Sequence, residues 1–244
     1  PSALNGIFGL KPTWVRIGRT GNPLGLSSLP HLGPLGASVR DLVDLLEVAA
    51  GEADPDDADT HHVPDLEHAA HGWRAALGRG VRGCRIGVPR REWADASAEV
   101  SSAGMEALAA LEREGAVLVD VALPLSPRAL PALAVLLLRE SDKHLGAEID
   151  ANLERLGLDM ALTVRVSNKV PEEALDIARR ARAALRQEHH DALLQCDVLA
   201  EPSTAITAPL LPRREGRIAL ADVGTTRKLV RYTAPTNLTG LPAG

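Results

Sequence analysis

The chain has 244 residues, 45% hydrophobic and 24% charged, enough for one large domain or two small ones of ordinary globular composition. Its formal net charge of −5 gives no electrostatic case for binding nucleic acid or an anionic lipid surface. Aromatic side chains make up only 2%, so the core must be built from Leu, Val, Ile and Ala.

The chain opens on Pro1-Ser-Ala-Leu-Asn-Gly-Ile-Phe-Gly-Leu-Lys-Pro-Thr13, in which Ile7 to Leu10 reads as a short buried strand stopped by Pro12. Residues 14–37 are rich in Gly, Pro and Ser and lack a helical period, which predicts a long ordered loop or a set of turns over a site. Ser38 then starts a helix. Ser38-x-x-Asp41 has the form of a capping box, and Val39, Leu42, Val43 and Leu46 share a face. Gly51 suits the position just past the helix end. The acidic stretch Glu52–Asp59 reads as turns, and a second helix is expected from about Asp65 to Leu77, with Leu66, Ala69, Ala70, Trp73 and Leu77 inward.

Arg85-Ile-Gly-Val88 reads as a strand ended by Pro89. A helix follows over 98–114, with Met105, Leu108 and Leu111 apolar and Gly115 at its end. Ala116–Val121 is the next strand. Strand, helix and strand at this spacing form a βαβ unit, hence parallel strands joined by a right-handed crossover. Residues 128–156 are helical in pattern, and another helix runs from near Pro171 to Leu194. Asp197–Ala200 reads as a buried strand and 219–232 as a last helix. Without repeats or a low-complexity linker, the simplest organisation is one α/β domain over 1–244, with a mixed, partly parallel β-sheet covered by helices.

Cys84 and Cys196 match no metal or redox spacing and read as two buried thiols. The longest apolar run, Ala129–Leu138, contains Pro131 and is too short to span a bilayer. No stretch reads as a signal peptide, so a soluble, cytoplasmic protein is expected.

Several segments, in one order along the chain, resemble those of the amidase signature family. Pro1–Thr13 is similar to the family's Pro-Ala…Gly-x-x-Gly-Leu-Lys-Pro-Thr segment, and Ser27-Ser-Leu-Pro-His-Leu-Gly-Pro-Leu35 to its Ser-Leu-Asp-x-x-Gly-Pro-Met. Ser38-Val-Arg-Asp41, Gly51-x-x-Asp54-Pro-Asp-Asp57, Arg85-Ile-Gly-Val-Pro89 and Leu111–Pro124 continue the order. Asp197-Val-Leu-Ala-Glu-Pro202 and Thr233-Ala-Pro-Thr-Asn-Leu-Thr-Gly-Leu-Pro242-Ala complete it. The sequence also departs from the family. Pro30 stands where the family has the Asp of Ser-Leu-Asp, which removes a carboxylate and a backbone donor. Gly36-Ala37-Ser38 stands in place of the family's Arg-Thr-Val, and the aromatic residues of its Arg-Tyr-Gly segment are absent.

The resemblance implies the amidase signature fold. It also implies hydrolysis of a linear carboxamide to acid and ammonia or amine through an acyl-serine intermediate. In the family a lysine deprotonates a bridging serine, which relays the proton from the nucleophilic serine, because a hydroxyl attacks poorly until a base takes its proton. Burial can lower a lysine's pKa enough for that task, and backbone N–H groups stabilise the oxyanion. In the family's order these residues lie before Pro1. No position here matches them, so no catalytic residue is assigned. The chain is therefore expected to be a C-terminal portion, cut at both ends, inactive and aggregation-prone by itself. The resemblance further implies a small-molecule amide substrate and no cofactor. It implies no direct contact with nucleic acid or membrane, and it is compatible with a homodimer. One alternative is the amidase subunit of an aminoacyl-tRNA amidotransferase, against which Pro30 and the missing aromatic loop count. The other is a non-catalytic, truncated or degenerate family member.

Asn237 and Thr239, in a turn whose side chains can bond backbone or face a pocket, are the candidate substrate-binding residues. Residues 14–37 and 139–170 are candidate walls for the acyl pocket. Lys11 and the Ser27–Ser28 pair resemble a catalytic set, but their motif positions predict a strand-end or surface lysine and serines bonded within their own loop. His61, His62, His68 and His71 cluster without the spacing of a zinc site, so no metal is expected. Glu188-His-His-Asp191 and the run Arg179, Arg180, Arg182 and Arg186 read as solvated helix faces.

Overall fold

A computed structural model describes residues 1–22, 27–62, 70–167, 169–210 and 222–244. The chain begins with the single turn α1 (Ser2–Asn5) and the strand β1 (Phe8–Gly9), which pairs antiparallel with β2 (Leu35–Gly36). β1 is not the buried strand its apolar run predicts: Ile7 is 40% and Phe8 51% exposed. Among the described residues, this two-residue strand is paired with β2 alone.

The helix α2 (Val39–Ala49) starts where the capping box places it. Ser38 Oγ accepts from the Asp41 N–H at 3.2 Å, and the Asp41 carboxylate accepts from the Ser38 N–H at 2.9 Å. Leu42, Val43 and Leu46 are buried beneath it, whereas Val39 is exposed. A 3-10 turn (Ala58–His62) and the short α3 (Ala70–Ala76) follow. The expected helix start at Asp65, with Leu66, Ala69 and His68, lies outside the described residues.

The βαβ unit forms as its spacing predicts. β3 (Arg85–Val88) leads through α4 (Arg90–Ala94) and α5 (Ala98–Arg113) to β4 (Val117–Asp120). β3 and β4 are parallel in the register Ile86 opposite Leu118. α4 is not foreshadowed in the sequence. Its start at Pro89 suits a first-turn proline, but its length is too short to show a period.

Among the described residues, five more helices and one strand follow. They are α6 (Ala129–Ala151), α7 (Leu158–Ser167), α8 (Glu172–Leu193), β5 (Val198–Leu199) and α9 (Val223–Val230), with α10 (Thr233–Thr239) at the end. β5 joins β3 in parallel on the side away from β4, giving the order β4-β3-β5. A helix over 219–232 was expected. Among the described residues it begins at Val223 behind the Asp222 cap and breaks at Arg231, and α10 follows it.

Two cores result. In the first, Ile86, Val88, Trp93, Leu108 and Ala116 pack α4 and α5 onto β3. In the second, Ala129, Ala132, Leu136, Leu175, Ala178, Leu185, Ala234 and Leu238 join α6, α8 and α10. Its alanines let three helices approach closely, while Leu136, Leu185 and Leu238 each contribute about 1.5–3 kcal/mol by leaving water. Within the first core, Trp93 Nε1 donates to the Ala200 carbonyl at 2.9 Å, and the Tyr232 hydroxyl, just before α10, reaches across to the Glu92 carbonyl of α4 at 2.7 Å. Cys196 is buried as expected; Cys84 is only partly so.

Trp93 also fixes a glycine inside α5. A Cβ built at Gly104 would lie 1.9 Å from the Trp93 ring. Helix propensity alone makes Gly104→Ala stabilising by about 1 kcal/mol. The collision is expected to reverse the sign, with a net loss of about 1–3 kcal/mol in urea unfolding. A gain in stability would show that the ring does not hold that position.

Candidate functional site

The segments that carry the family resemblance lie far apart in sequence, and three of them meet in space. Lys11 and Ala243 form an antiparallel bridge, with Lys11 N–H to Ala243 O at 2.7 Å and Ala243 N–H to Lys11 O at 2.8 Å. The Trp14 N–H donates to the Gly240 carbonyl at 2.9 Å. Gly240 ends α10 at φ 76°, a conformation that favours glycine. The third segment, Ser27–His31, folds over α6 and α8 beside this bridge.

Two arginines hold that loop. Arg19 is 1% exposed and bonds the Asp57 carboxylate through Nε at 2.8 Å and Nη2 at 2.7 Å. Its Nη2 also reaches Asp59 at 2.6 Å, its Nη1 donates to the Ser27 carbonyl at 2.7 Å, and its guanidinium lies over the Trp14 ring. Arg182 reaches from α8. Its Nη1 donates to Ser28 Oγ at 2.5 Å, its Nη2 to the Ser28 carbonyl at 2.9 Å and its Nε to the Leu238 carbonyl at 2.8 Å. Ser28 completes the set by donating to Glu140 of α6, through its N–H at 2.7 Å and its hydroxyl at 2.6 Å.

These contacts correct three sequence expectations. Ser28 bonds two distant helices rather than its own loop. The arginine run is not a uniform solvated face. Arg179 and Arg180 are exposed, but Arg182 turns inward, and Arg186, itself exposed, donates to the Thr239 carbonyl at 3.1 Å. Nor is Glu188–Asp191 a polar face, since His189 is 1% exposed and Glu188 accepts from the Leu125 N–H at 2.8 Å. The missed signal was periodic. Leu175, Ala178, Arg182, Leu185, His189 and Ala192 repeat at intervals of three and four, so Arg182 and His189 share the core stripe of α8.

A cavity of about 250 Å³ lies where the segments meet, lined by Lys11, Ser27, Pro30, His31, Glu140 and Asn237 among others. Lys11 is half-buried in it rather than at the surface. Its Nζ donates to the Pro12 carbonyl at 3.2 Å, and burial lowers its pKa to about 8. His31 Nδ1 lies 2.8 Å from the Leu29 carbonyl. Burial, with Lys11 nearby, pushes His31 down to about 4, so the ring is neutral near pH 7. Among the described residues, His31 Nε2 and Asn237 Oδ1 are buried without a partner. Thr239 is 4% exposed and does not line this cavity; its hydroxyl donates to the Thr236 carbonyl at 3.4 Å. Of the two candidate binding residues, only Asn237 faces the cavity. Neither Ser27 nor Ser28 is hydrogen-bonded to Lys11, and the Ser28 hydroxyl is already engaged by Glu140 and Arg182. A lysine–serine pair for proton transfer is therefore not formed.

A second cavity, of about 390 Å³, lies between α4, α6 and α9 and is lined by Arg91, Glu92, Asp95, Arg227, Arg231 and Tyr232 among others. Arg231 pairs with Asp95 at 2.5 Å there. Near Glu92, burial and the carboxylates of Glu92 and Glu188 raise Glu201 to about 7. Among the described residues, no group of three or more His, Cys, Asp or Glu side chains is placed to hold a metal ion, and no helix is long and apolar enough to cross a membrane.

Comparison with known proteins adds to this geometry. The family model described as Amidase matches residues 1–244. The chain is 35% identical to a glutamyl-tRNA(Gln) amidotransferase subunit of Roseiflexus sp. (strain RS-1), over 99% of this chain and 52% of that protein. A crystal structure of an amidase is matched at TM-score 0.78 and 27% identity, over 99% of this chain and 51% of that one. The native peptide amidase from Stenotrophomonas maltophilia is matched at TM-score 0.74 and 26% identity, over 99% and 51%. The chain thus spans about half the length of the curated relatives it matches.

Two outcomes follow from this geometry. Arg182→Lys keeps the charge but cannot bond Ser28 and Leu238 together. It is expected to cost about 2–4 kcal/mol in urea unfolding and to speed thermolysin cleavage near Leu29–Leu32. A loss under about 0.5 kcal/mol would mean that solvent replaces the guanidinium at no cost. Glu201 is the opposite case. Its raised pKa leaves stability intact below about pH 4.5 and removes it as pH climbs to about 7, by roughly 1–3 kcal/mol. Glu201→Gln should therefore melt higher than the parent at pH 8 and equally at pH 4.5. An equal gain at both pH values would remove ionisation as the cause.

Proposed function

The chain belongs to the amidase family, and on that premise we propose that it forms a wall of the substrate pocket in an enzyme that hydrolyses a linear carboxamide to acid and ammonia or amine. The reaction runs through an acyl-serine whose nucleophile, bridging serine and lysine are supplied by polypeptide beyond the residues of this chain. One observation carries the reading: Lys11–Pro12, Ser27–His31 and Asn237–Ala243, three family-like segments, meet around one cavity.

The physical division of labour follows. Attack by a serine hydroxyl needs a base within hydrogen-bond reach, and the resulting oxyanion needs preorganised N–H donors. In the loop over the cavity, Ser28 is committed to Glu140 and Arg182. What this half provides is rigidity. Arg19 and Arg182 immobilise the loop from both sides, so a bound amide would meet a wall that does not rearrange during the reaction. No cofactor enters this chemistry, and the substrate is a small molecule. A homodimer is compatible with it, and contact with nucleic acid or membrane is not required.

The identity to a glutamyl-tRNA(Gln) amidotransferase subunit favours a second reading, in which the same amide chemistry releases ammonia from glutamine for a partner protein. The missing carboxylate at Pro30 counts for the first reading.

The test uses the full-length protein with acetamide, benzamide and glutamine, measuring ammonia release with and without ATP and glutamyl-tRNA. Release from simple amides without tRNA is expected. Ammonia from glutamine alone, and only with tRNA and partner subunits, would replace the first reading by the second. A serine-directed sulfonyl fluoride should label a serine outside the present 244 residues in peptide mass spectra. Label on Ser27 or Ser28 would overturn the division of labour.

A further inference from the structure

A third cavity, of about 470 Å³, opens between α6, α8 and the loop that carries Trp14 and Ser28. Arg179, Arg182 and Arg186 line it from α8. They stand three and four residues apart, so they form one row along the helix. Two of the three guanidinium groups are located by their contacts. That of Arg182 rests on Ser28, itself in the lining, through Nη1 at 2.5 Å and Nη2 at 2.9 Å. That of Arg186 sits at the Trp14 end. Its Nε donates to the Thr239 carbonyl at 3.1 Å, and a Cβ built on Gly240 would lie 3.6 Å from its Nη2 and 3.1 Å from Trp14 Cβ.

This wall is short of negative charge. Glu140 is the carboxylate in the lining, and both its oxygens accept from Ser28. Arg186 works against the charge of Arg182, so the two cations lie close enough to repel. Arg186 is exposed, and among the described residues its Nη atoms meet no acceptor. Arg179 holds Asp176 by one bond at 3.2 Å, an exposed pair within a turn of its own helix that contributes little. Three guanidinium groups face one committed carboxylate, which leaves two positive charges on the lining.

The complement is an anion, and the charge decides which kind. A carboxylate or a sulfate ester brings one charge. A phosphate monoester brings about two, on three oxygens that match the forked N–H groups of arginine. An extended polyanion does not fit, because Glu172, Glu173 and Asp176 are exposed on the first turns of the same helix. Beside the arginines the lining is apolar, with half-buried Trp14 and exposed Ala183. A compact organic group can leave water there.

We propose that the row Arg179–Arg182–Arg186 and Trp14 form a binding site for a small organic phosphate monoester, its oxygens accepting from Arg186 and Arg179 and its organic group resting on Trp14. Arg182 is the fixed member of the row, held by Ser28 and Leu238, and supplies charge from the wall. Arg179 turns from Asp176 to the phosphate. The site requires no amide chemistry, and no bond is made or broken in it.

The experiment is isothermal titration calorimetry on the full-length protein at about pH 8, where a phosphate monoester is a dianion. The probes are phenyl phosphate, phenyl sulfate and inorganic phosphate. Phenyl phosphate is expected to bind about fivefold or more tightly than phenyl sulfate, which has the same shape and half the charge. It is expected to bind about threefold or more tightly than inorganic phosphate, which has no organic group to place on Trp14. Arg186→Gln should weaken it about tenfold and Arg179→Gln about threefold, with thermal melts reporting that the variants fold. Arg180→Gln, an exposed neighbour outside the lining, should bind like the parent. The three-probe comparison on the parent protein needs no variant. Absence of binding, or equal binding of the three probes, would overturn the site. So would a loss in Arg180→Gln equal to that in Arg186→Gln, since any surface arginine would then serve, or folded Arg179→Gln and Arg186→Gln that bind like the parent.

Discussion

A half-buried guanidinium holds the candidate site together. Arg182 bonds the hydroxyl and carbonyl of Ser28 and the carbonyl of Leu238, and through Ser28 it is linked to Glu140. Burial works against its charge, as does neighbouring Arg186, and both lower its pKa from the ordinary arginine value. That cost is tolerable only because Nε and both Nη atoms meet acceptors in fixed directions. The consequence reaches beyond one side chain. With Ser28 fixed, Leu29 is directed into the core of α6, α8 and α10, where it is 4% exposed. With Leu238 fixed, α10 ends where Gly240 can accept from Trp14 and Ala243 can bridge Lys11.

Arg19 anchors the same loop by a different balance. Its carboxylate partner Asp57 is fully buried, so two opposite charges leave water together. Asp57 is held below the usual carboxylate range by the Arg19 hydrogen bond. Lys11 and Glu201 show what desolvation does without such compensation. Lys11 has no acid paired with it among the described residues, and its ammonium is disfavoured; Glu201 has Glu92 and Glu188 near it, and its carboxylate is disfavoured. The fold therefore carries fully paired charges where it needs rigidity, while burial opposes the charge of Lys11 beside the cavity and of Glu201.

The sequence was legible where local rules act alone. The Ser38 capping box, the βαβ spacing around α5 and the helix from Pro171 all depend on short-range chemistry, and all are found in place. The short elements were not legible. α1, α4 and α10 are too brief to show a period, and β1 gains its strand geometry only from pairing with β2. The exposed Phe8 shows that an apolar run does not by itself imply burial. At the site, Asn237 was picked out from its turn, and Thr239 beside it turns away from the cavity. Lys11 and Arg182 were misread, and His31 drew no reading, because their surroundings depend on elements remote in sequence. Arg182 could have been recognised, since it sits in phase with Leu175, Ala178, Leu185 and His189. An arginine in an otherwise apolar stripe is a request for acceptors from another element.

Why the chain can carry Pro30 where related sequences carry an acid is answered by the hydrogen bonds of the loop. Proline supplies no backbone donor. Between Ser27 and His31, the bonds run through the Ser27 carbonyl, the Ser28 N–H and carbonyl, and the Leu29 carbonyl. None of them uses the nitrogen of position 30, so the substitution leaves the backbone frame intact. The carboxylate in the cavity lining is that of Glu140, whose two oxygens accept from Ser28. Lys11 thus lies in the lining with burial opposing its charge, while backbone bonds set the frame that positions it. Backbone bridging at Lys11 and the Arg182 clamp fix geometry independently of the side chains at positions 11, 30, 31 and 237. Recognition can therefore vary at those positions without a cost to the fold.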